Sequence, residues 1–283
     1  MAVIGIFDSG SGGLSVLKEI RKVLPSGHFI YYSDNAHCPY GDKSPEYIRE
    51  RARTITRLLL DKGAQAIVVA CNTATGAAIA TLRAEFDIPF VGMEPAVKPA
   101  ALGTRSGVIG VLATAGTLKA SKYLKTKGLY QDNVRIEEHV GEEFVQLVER
   151  GELDGPEVER VVRRSLQPLL DAGADTIVLG CTHYPFLRPV IERIAGPDIR
   201  IIDPAPAVAR QLVKVISERG LLDTATHPSS ADPAASSFAG PATSASAGPA
   251  ASASADSIGE SPTLELLSSG DPTTLRALAA MIA

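Results

Sequence analysis

The chain has no tryptophan, three cysteines, three methionines and an aromatic content of only 5% across 283 residues. Three thiols, at Cys38, Cys71 and Cys181, are too few and too scattered for a disulfide framework. They are expected to be free in a reducing compartment. No apolar run approaches bilayer-spanning length, and MAVIGIFDSG has no basic stretch ahead of its apolar residues. Neither a membrane span nor a secretory leader is expected, which makes the protein cytoplasmic. Lys and Arg number 28 against 32 Asp and Glu, a net charge of −4 that favours neither nucleic acid nor an anionic membrane as partner. There is no Walker A loop, and the glycines of Asp8-Ser9-Gly10-Ser11-Gly12-Gly13 miss a dinucleotide fingerprint because Ser15 stands where the third glycine belongs. That segment also reads as a tight turn with Asp or Ser capping a helix. Paired C-x-x-C and H-x-x-x-H spacings are lacking too. A zinc set of Cys71, Cys181, His183 and Asp8 is therefore the minor reading, and no metal is expected.

What is present is a repeat. Leu59–Cys71 reads LLDKGAQAIVVAC and Leu169–Cys181 reads LLDAGADTIVLGC, identical at eight of thirteen positions. Each copy passes from a helix end through a Gly-containing turn into a β-branched strand that stops at a thiol. Further strands match in order: Val3–Phe7 with Val108–Leu112, Phe29–Tyr32 with Val134–Glu137, and Pro89–Gly92 with Ile199–Ile202. Continuous Val/Ile-rich runs are typical of parallel strands covered on both faces. Helical patterns separate them, as with Leu14, Leu17, Ile20 and Leu24, or Val158, Val162, Leu166 and Leu169. The fold class expected is α/β, with two pseudo-symmetric three-layer domains, mainly parallel sheets and an active site at the domain interface. A segment of Ala, Ser, Pro and Gly at about 224–262 has almost no large apolar side chain and reads as a disordered insert. Thr263–Leu267 then resumes a strand pattern and leads to a last helix, which should return to the first domain. The domains expected are 1–95 plus 208–283, and 96–207.

Ligands collect outside the carboxyl ends of parallel strands. There the first half supplies Asp8-Ser9, Tyr40-Gly41, Cys71-Asn72-Thr73 and Glu94, and the second supplies Thr114 to Thr117, Cys181-Thr182-His183 and Asp203. Two thiols, several hydroxyls, an amide and no Lys/Arg cluster suit a small zwitterion or carboxylate. Both cysteines are expected at strand-to-helix junctions, where the helix dipole favours a thiolate, with His183 and Asp8 as proton partners. Inverting a stereocentre by proton transfer needs an acid/base group on each face of the carbon, and a duplicated fold supplies equivalent groups on two faces. Cys38 lacks a repeat partner and reads as incidental. His28, His37, His139 and His227 have no chemical context and should face solvent.

The segments GIFDSGSGGLSVL, YSDNAHCPYGDKS, VVACNTAT and VLGCTHYP resemble the cofactor-independent glutamate racemases of the aspartate/glutamate racemase superfamily. The resemblance implies D- and L-glutamate as the small-molecule substrate, no cofactor, a role in peptidoglycan synthesis and a homodimer. It implies Cys71 and Cys181 as the catalytic pair, assisted by Asp8, His183 and Glu149. Ligand-holding positions would be Asp8, Ser9, Tyr40, Gly41, Asn72, Thr73, Thr182 and His183. Helix spacing alone would leave Glu149 as an exposed surface carboxylate. Two other readings stand beside it: an enzyme of the same fold with another substrate, such as an aspartate racemase or a related isomerase or decarboxylase, and, from a different class, a two-lobed solute-binding protein in which the thiols do no chemistry.

Overall fold

Short apolar strands alternate with amphipathic helices from the first residues onward, and a computed structural model describing residues 2–222 and 263–282 assembles them into two parallel sheets. The first half runs β1 (Val3–Asp8), α1 (Leu14–Val23), β2 (His28–Ser33), α2 (Pro45–Asp61), β3 (Ala66–Val69), α3 (Asn72–Glu85), β4 (Phe90–Gly92) and α4 (Val97–Gly103). The second runs β5 (Val108–Ala113), α5 (Ala115–Leu118), α6 (Ser121–Gly128), β6 (Arg135–Val140), α7 (Phe144–Glu149), α8 (Pro156–Asp171), β7 (Thr176–Gly180), α9 (Arg188–Ala195), β8 (Arg200–Ile202) and α10 (Ala205–Glu218). Then come β9 (Thr263–Ser268) and α11 (Thr273–Ala280). The Ala/Ser-rich segment expected to be disordered, with His227, lies outside the described residues.

The strand orders are β4-β3-β1-β2-β9 and β8-β7-β5-β6. Apart from β9 they are the same order, so the sequence repeat is also a repeat of topology. β9 pairs in parallel with β2, from His28↔Thr263 to Ser33↔Ser268, as the closing strand pattern predicts. That pairing covers the β2 edge, which is largely buried, while its counterpart β6 has no fully buried residue.

The repeated sequence encodes a repeated turn. After α2, Ala64 N donates to Leu59 O (2.9 Å) and Gly63 N to Leu60 O (2.8 Å). After α8, Ala174 N donates to Leu169 O (3.2 Å) and Gly173 N to Leu170 O (2.9 Å). This is the Schellman pattern, in which the residue after the helix adopts a left-handed conformation and the helix's last carbonyls find donors. Gly63 and Gly173 take φ of 89° and 85°, which a side chain would strain. The same leucines press on the central strands. A Cβ on Gly5 would stand 3.1 Å from Leu59 Cδ1, and one on Gly110 3.0 Å from Leu169 Cδ1. Glycine in β1 and β5 thus lets each helix close on its sheet.

Helix α1 buries Leu14, Val16, Leu17 and Ile20 and packs against α10. One apolar core takes residues from both sheets, among them Ile4 and Val68 of the first and Leu112 and Ile177 of the second, with Leu17, Leu166 and Leu212 from the helices. A second, around Phe7, Ile55, Leu59, Ile67 and Val69, fills the α2–α3 face of the first sheet. Among the described residues no helix is long and apolar enough to cross a membrane.

Candidate active site

Strands β3 and β7 hold equivalent places in their sheets, and each delivers its cysteine to the carboxyl end. Cys71 and Cys181, 5% and 7% exposed, line one small cavity of about 10 Å³. Ser9, Tyr40, Gly41, Asn72, Thr73, Thr182 and His183 line it too, so most of the residues singled out in the sequence are brought together. Pro39, Thr114 and Val145 complete the wall. Of these, Thr114 stands among the strand-end residues, whereas Pro39 and Val145 carry no local signal in the sequence. Asp8 and Glu149 lie one layer behind, each held to a lining residue.

Around Cys71 the groups are buried and short of partners. Cys71 is the N-cap of α3 and its Sγ accepts from Ala74 N at 3.4 Å. The thiol also faces Ser9 Oγ at 3.8 Å. Asp8 Oδ2 accepts from Gly13 N (2.8 Å) and Thr182 Oγ1 (3.4 Å), while its Oδ1 is buried with no hydrogen-bond partner among the described residues. Burial raises the Asp8 carboxyl above the ordinary carboxylate value. Burial, and then the Asp8 charge, push the Cys71 thiol well up, against the help of the α3 N-terminus. The expected dipole-stabilised thiolate is therefore overturned at Cys71, because desolvation outweighs one helix end. Cys181 departs from expectation differently: the chain after it enters a short 3₁₀ turn, Tyr184–Leu187, before α9 begins.

Cys181 has a charged partner instead. Its Sγ lies 3.7 Å from His183 Nδ1, and the other ring nitrogen, Nε2, is 2.7 Å from Glu149 Oε1. Burial opposes charge on His183, but hydrogen bonds to Cys181, Cys38 and Glu149 outweigh it and raise the imidazole well above its usual value. Burial likewise opposes charge on Glu149, yet His183 and Ser11 hold its carboxyl below the ordinary range. Ser11 N donates to Glu149 Oε1 at 2.5 Å and Ser11 Oγ to Oε2 at 3.2 Å. Glu149 is thus no surface carboxylate: it closes α7 against the β1–α1 loop, with its side chain 19% exposed.

That contact explains the glycines of the loop. A Cβ on Gly12 would come within 2.6 Å of His183 Cγ, and one on Gly10 within 2.9 Å of Glu149 Cδ. The loop is bare because an imidazole and a carboxylate from the other half lie against it. Cys38, read as incidental, belongs to the same cluster: its sulfur, a Glu149 oxygen and a His183 nitrogen lie within 4.8 Å of one another. It sits on the outer side of these residues and lines a separate cavity of about 350 Å³.

On the Cys71 side, Asn72 is 4% exposed and neither its Oδ1 nor its Nδ2 has a partner among the described residues. Thr73 Oγ1 lies 2.9 Å from Thr114 Oγ1, which itself caps α5. Tyr40 turns its ring to the cavity but donates its hydroxyl to Asp34 Oδ2 at 2.5 Å. Asp34, fully buried, also accepts two bonds from Arg51, at 2.9 Å and 2.7 Å. Burial opposes its charge, but Arg51 and Tyr40 hold the Asp34 carboxyl below its ordinary value. Neither Asp34 nor Arg51 is announced by the sequence, since their partnership crosses from the β2 end to mid-α2.

Removing the cation from this pair should be costly. Arg51→Met is expected to destabilise the fold by about 3–5 kcal/mol at neutral pH, the usual result of leaving a buried charge unpaired. The sign follows from the lowered carboxyl. Its contribution is present above the unfolded value of about 3.9 and is lost as pH falls through the lower folded value. Denaturant titrations of both proteins should therefore show the gap narrowing in acid. A gap that is small at neutral pH and independent of pH would contradict the assignment.

Two strand-end acids do not reach the cavity. Glu94 pairs with Lys122, and Asp203 Oδ1 accepts from Ala205 N at 2.8 Å. The remaining histidines are not free side chains in solvent: His28, His37 and His139 are each partly buried, and His37 contacts Tyr47 OH at 2.5 Å. Beside the cysteine cavity, and sharing Gly41 and Thr73 with it, lies a cleft of about 740 Å³ that includes Lys43, Arg49 and Lys119. These cations come from separate segments, which is why no basic cluster shows in the sequence.

The chain was compared with known proteins. Residues 5–212 match the family model described as Asp/Glu/Hydantoin racemase. A glutamate racemase of Methylococcus capsulatus is 52% identical over 219 residues, covering 77% of this chain and 81% of the relative. The solved structure of a glutamate racemase isoform from Bacillus anthracis is 30% identical, with a TM-score of 0.76 over 99% of this chain and 93% of that one. Escherichia coli glutamate racemase, solved with L-glutamate and the activator UDP-MurNAc-Ala, is 38% identical, with a TM-score of 0.72 over 76% of this chain and 82% of that one. The family match runs unbroken through both cysteine repeats and the cavity they share: the chain belongs to the Asp/Glu/hydantoin racemase family.

Proposed function

We propose that this chain interconverts L- and D-glutamate, with Cys71 and Cys181 as the two acid/base groups, and that it supplies D-glutamate to peptidoglycan synthesis in the cytoplasm. The observation that carries this reading is that matched strand ends bring both thiols to one cavity. One sulfur, as thiolate, takes the α-proton from its face of the bound amino acid. The other, as thiol, returns a proton to the opposite face, and the two sulfurs exchange protonation states in each turnover. The raised Cys71 thiol is suited to wait as the proton donor. At Cys181 the imidazolium of His183 stands ready to stabilise a thiolate, and Glu149 keeps that imidazole charged. Asp8, behind Cys71 and bonded to Thr182, assists on the other side.

Substrate is held by Ser9, Asn72, Thr73 and Thr182, with the wall of Tyr40 and Gly41 shaping the pocket. The unpartnered Asn72 amide supports this, since a buried amide without partners is unstable unless a ligand completes it. Among the described residues lining the cavity, the two thiols are proton-exchanging groups from matched strand ends, and the chemistry is assigned to them. A cavity of about 10 Å³ admits little more than one water, so an amino acid enters only when the site opens. We assign that opening to relative movement of residues 1–95 plus 208–283 against 96–207, toward the adjoining cleft with its cations.

The test is circular dichroism of each glutamate enantiomer in D₂O, without added cofactor and with aspartate as the comparison substrate. Ellipticity from either enantiomer should decay to zero while solvent deuterium enters Cα. A constant signal with no deuterium at Cα would overturn the reading, and decay with aspartate alone would correct the substrate.

A further inference from the structure

We propose that Cys38, Glu149 and His183 form a site for a thiophilic divalent cation of the Zn²⁺ class, and that occupancy of this site switches the enzyme off. The three side chains come from different places: the loop after β2, the end of α7 and the turn after β7. Yet one donor atom from each lies within 4.8 Å of the other two. Thiolate, imidazole and carboxylate are the donor set that borderline-soft, tetrahedral cations select. This trio is not the one the sequence suggests, since it leaves out Cys71, Cys181 and Asp8.

Metal–ligand bonds of about 2.0–2.3 Å place tetrahedral donors roughly 3.3–3.8 Å apart, so Glu149 Oε1, now 2.7 Å from His183 Nε2, must part slightly from it to admit the cation while Cys38 Sγ closes on the pair. The adjustment falls to the Cys38 and Glu149 side chains, which are only partly buried, while the His183 ring stays where it is held. Three protein donors leave a fourth position, and Cys38 and Glu149 both line the cavity of about 350 Å³ on the outer side. A cation arriving from there reaches the trio without passing through the cysteine cavity, and water from it can take the fourth position. On binding, Cys38 loses its thiol proton and His183 its Nε2 proton, both to solvent, and the cation takes the place of the proton shared with Glu149 Oε1.

The effect on catalysis rests on the racemase reading; the binding does not. His183 Nδ1 lies 3.7 Å from Cys181 Sγ, and Glu149 also holds Ser11. With the cation on Nε2 in place of a proton, the ring beside Cys181 is no longer an imidazolium, and Glu149 is drawn away from Ser11.

The experiment is a Co²⁺ titration of the full chain after chelator treatment, followed by near-ultraviolet and visible absorption, with Zn²⁺ inhibition of racemisation measured in parallel. Expected are one Co²⁺ per chain and a thiolate-to-cobalt charge-transfer band. In Cys38→Ala the band should vanish, and the Zn²⁺ needed for half-inhibition, measured against that variant's own uninhibited rate, should rise by about 100-fold or more. Cys38→Ser, with a harder oxygen donor, should also lose the band, and thermal melts of both variants verify folding. A band undiminished in Cys38→Ala would place the metal on Cys71 or Cys181 and overturn the proposal, as would the absence of Co²⁺ binding. A chain that binds Co²⁺ through Cys38 but does not racemise glutamate would keep the site and sink only the functional reading.

Discussion

Replacing either Cys71 or Cys181 by serine is expected to lower kcat in both directions by about 10²–10⁴-fold, the usual worth of one positioned acid/base group. A serine hydroxyl is nearly isosteric but far weaker as an acid, so the fold should survive while proton transfer on that face fails. L- and D-glutamate have equal free energy, so the ratio of kcat/KM in the two directions is fixed at one. Any loss in kcat/KM must therefore be equal from both sides, and only kcat and KM separately can differ. The double variant should be little worse than either single one, because the two sulfurs act as a unit. Initial-rate assays from each enantiomer, with thermal melts as a control for folding, make the measurement. A variant retaining kcat within about tenfold of wild type would show that its sulfur is not an acid/base group.

The second large effect is expected at a residue with no side chain. In Gly12→Ala the new methyl would meet the His183 ring, 2.6 Å from Cγ. The ring is 1% exposed and held between Cys181 and Glu149, so it has no free space to move into. Displacement of a catalytic group by about 1 Å costs on the order of 10²-fold in rate, and an overpacked interior costs about 1–3 kcal/mol in stability. Both losses are expected in Gly12→Ala. Gly128→Ala is the control, since a Cβ there meets nothing within 4 Å among the described residues and should leave the rate unchanged and the stability no lower. Wild-type kcat and stability in Gly12→Ala would mean that the imidazole is not clamped as described.

Much of the fold is legible along the chain because its signals are local. Apolar runs such as AIVV and TIVLG are buried over their whole length, and the turns after α2 and α8 need glycine at one backbone position. Repeating such a unit repeats its topology, so the sheet orders follow from pattern. The thiols were legible for the same reason, each being the residue at which a repeated strand stops. The legible part ended where partners come from distant segments. Glu149 looks like a surface residue from its helix spacing, yet Ser11, 138 positions away, and His183, 34 away, hold it. Cys38 has no counterpart in the repeat, but the fold sets it against that pair. Asp34 and Arg51 form their ion pair because α2 folds back along the sheet, 17 positions on.

By itself the sequence determined two similar α/β halves, each ending a central strand at a cysteine, since hydrophobic period and turn chemistry act over a few residues. Only the tertiary structure decided the charge state around those sulfurs. Burial raises Cys71, and hydrogen bonds to Cys181, Cys38 and Glu149, brought together from separate segments, raise His183, because desolvation and Coulomb interaction depend on which atoms end up side by side in low dielectric.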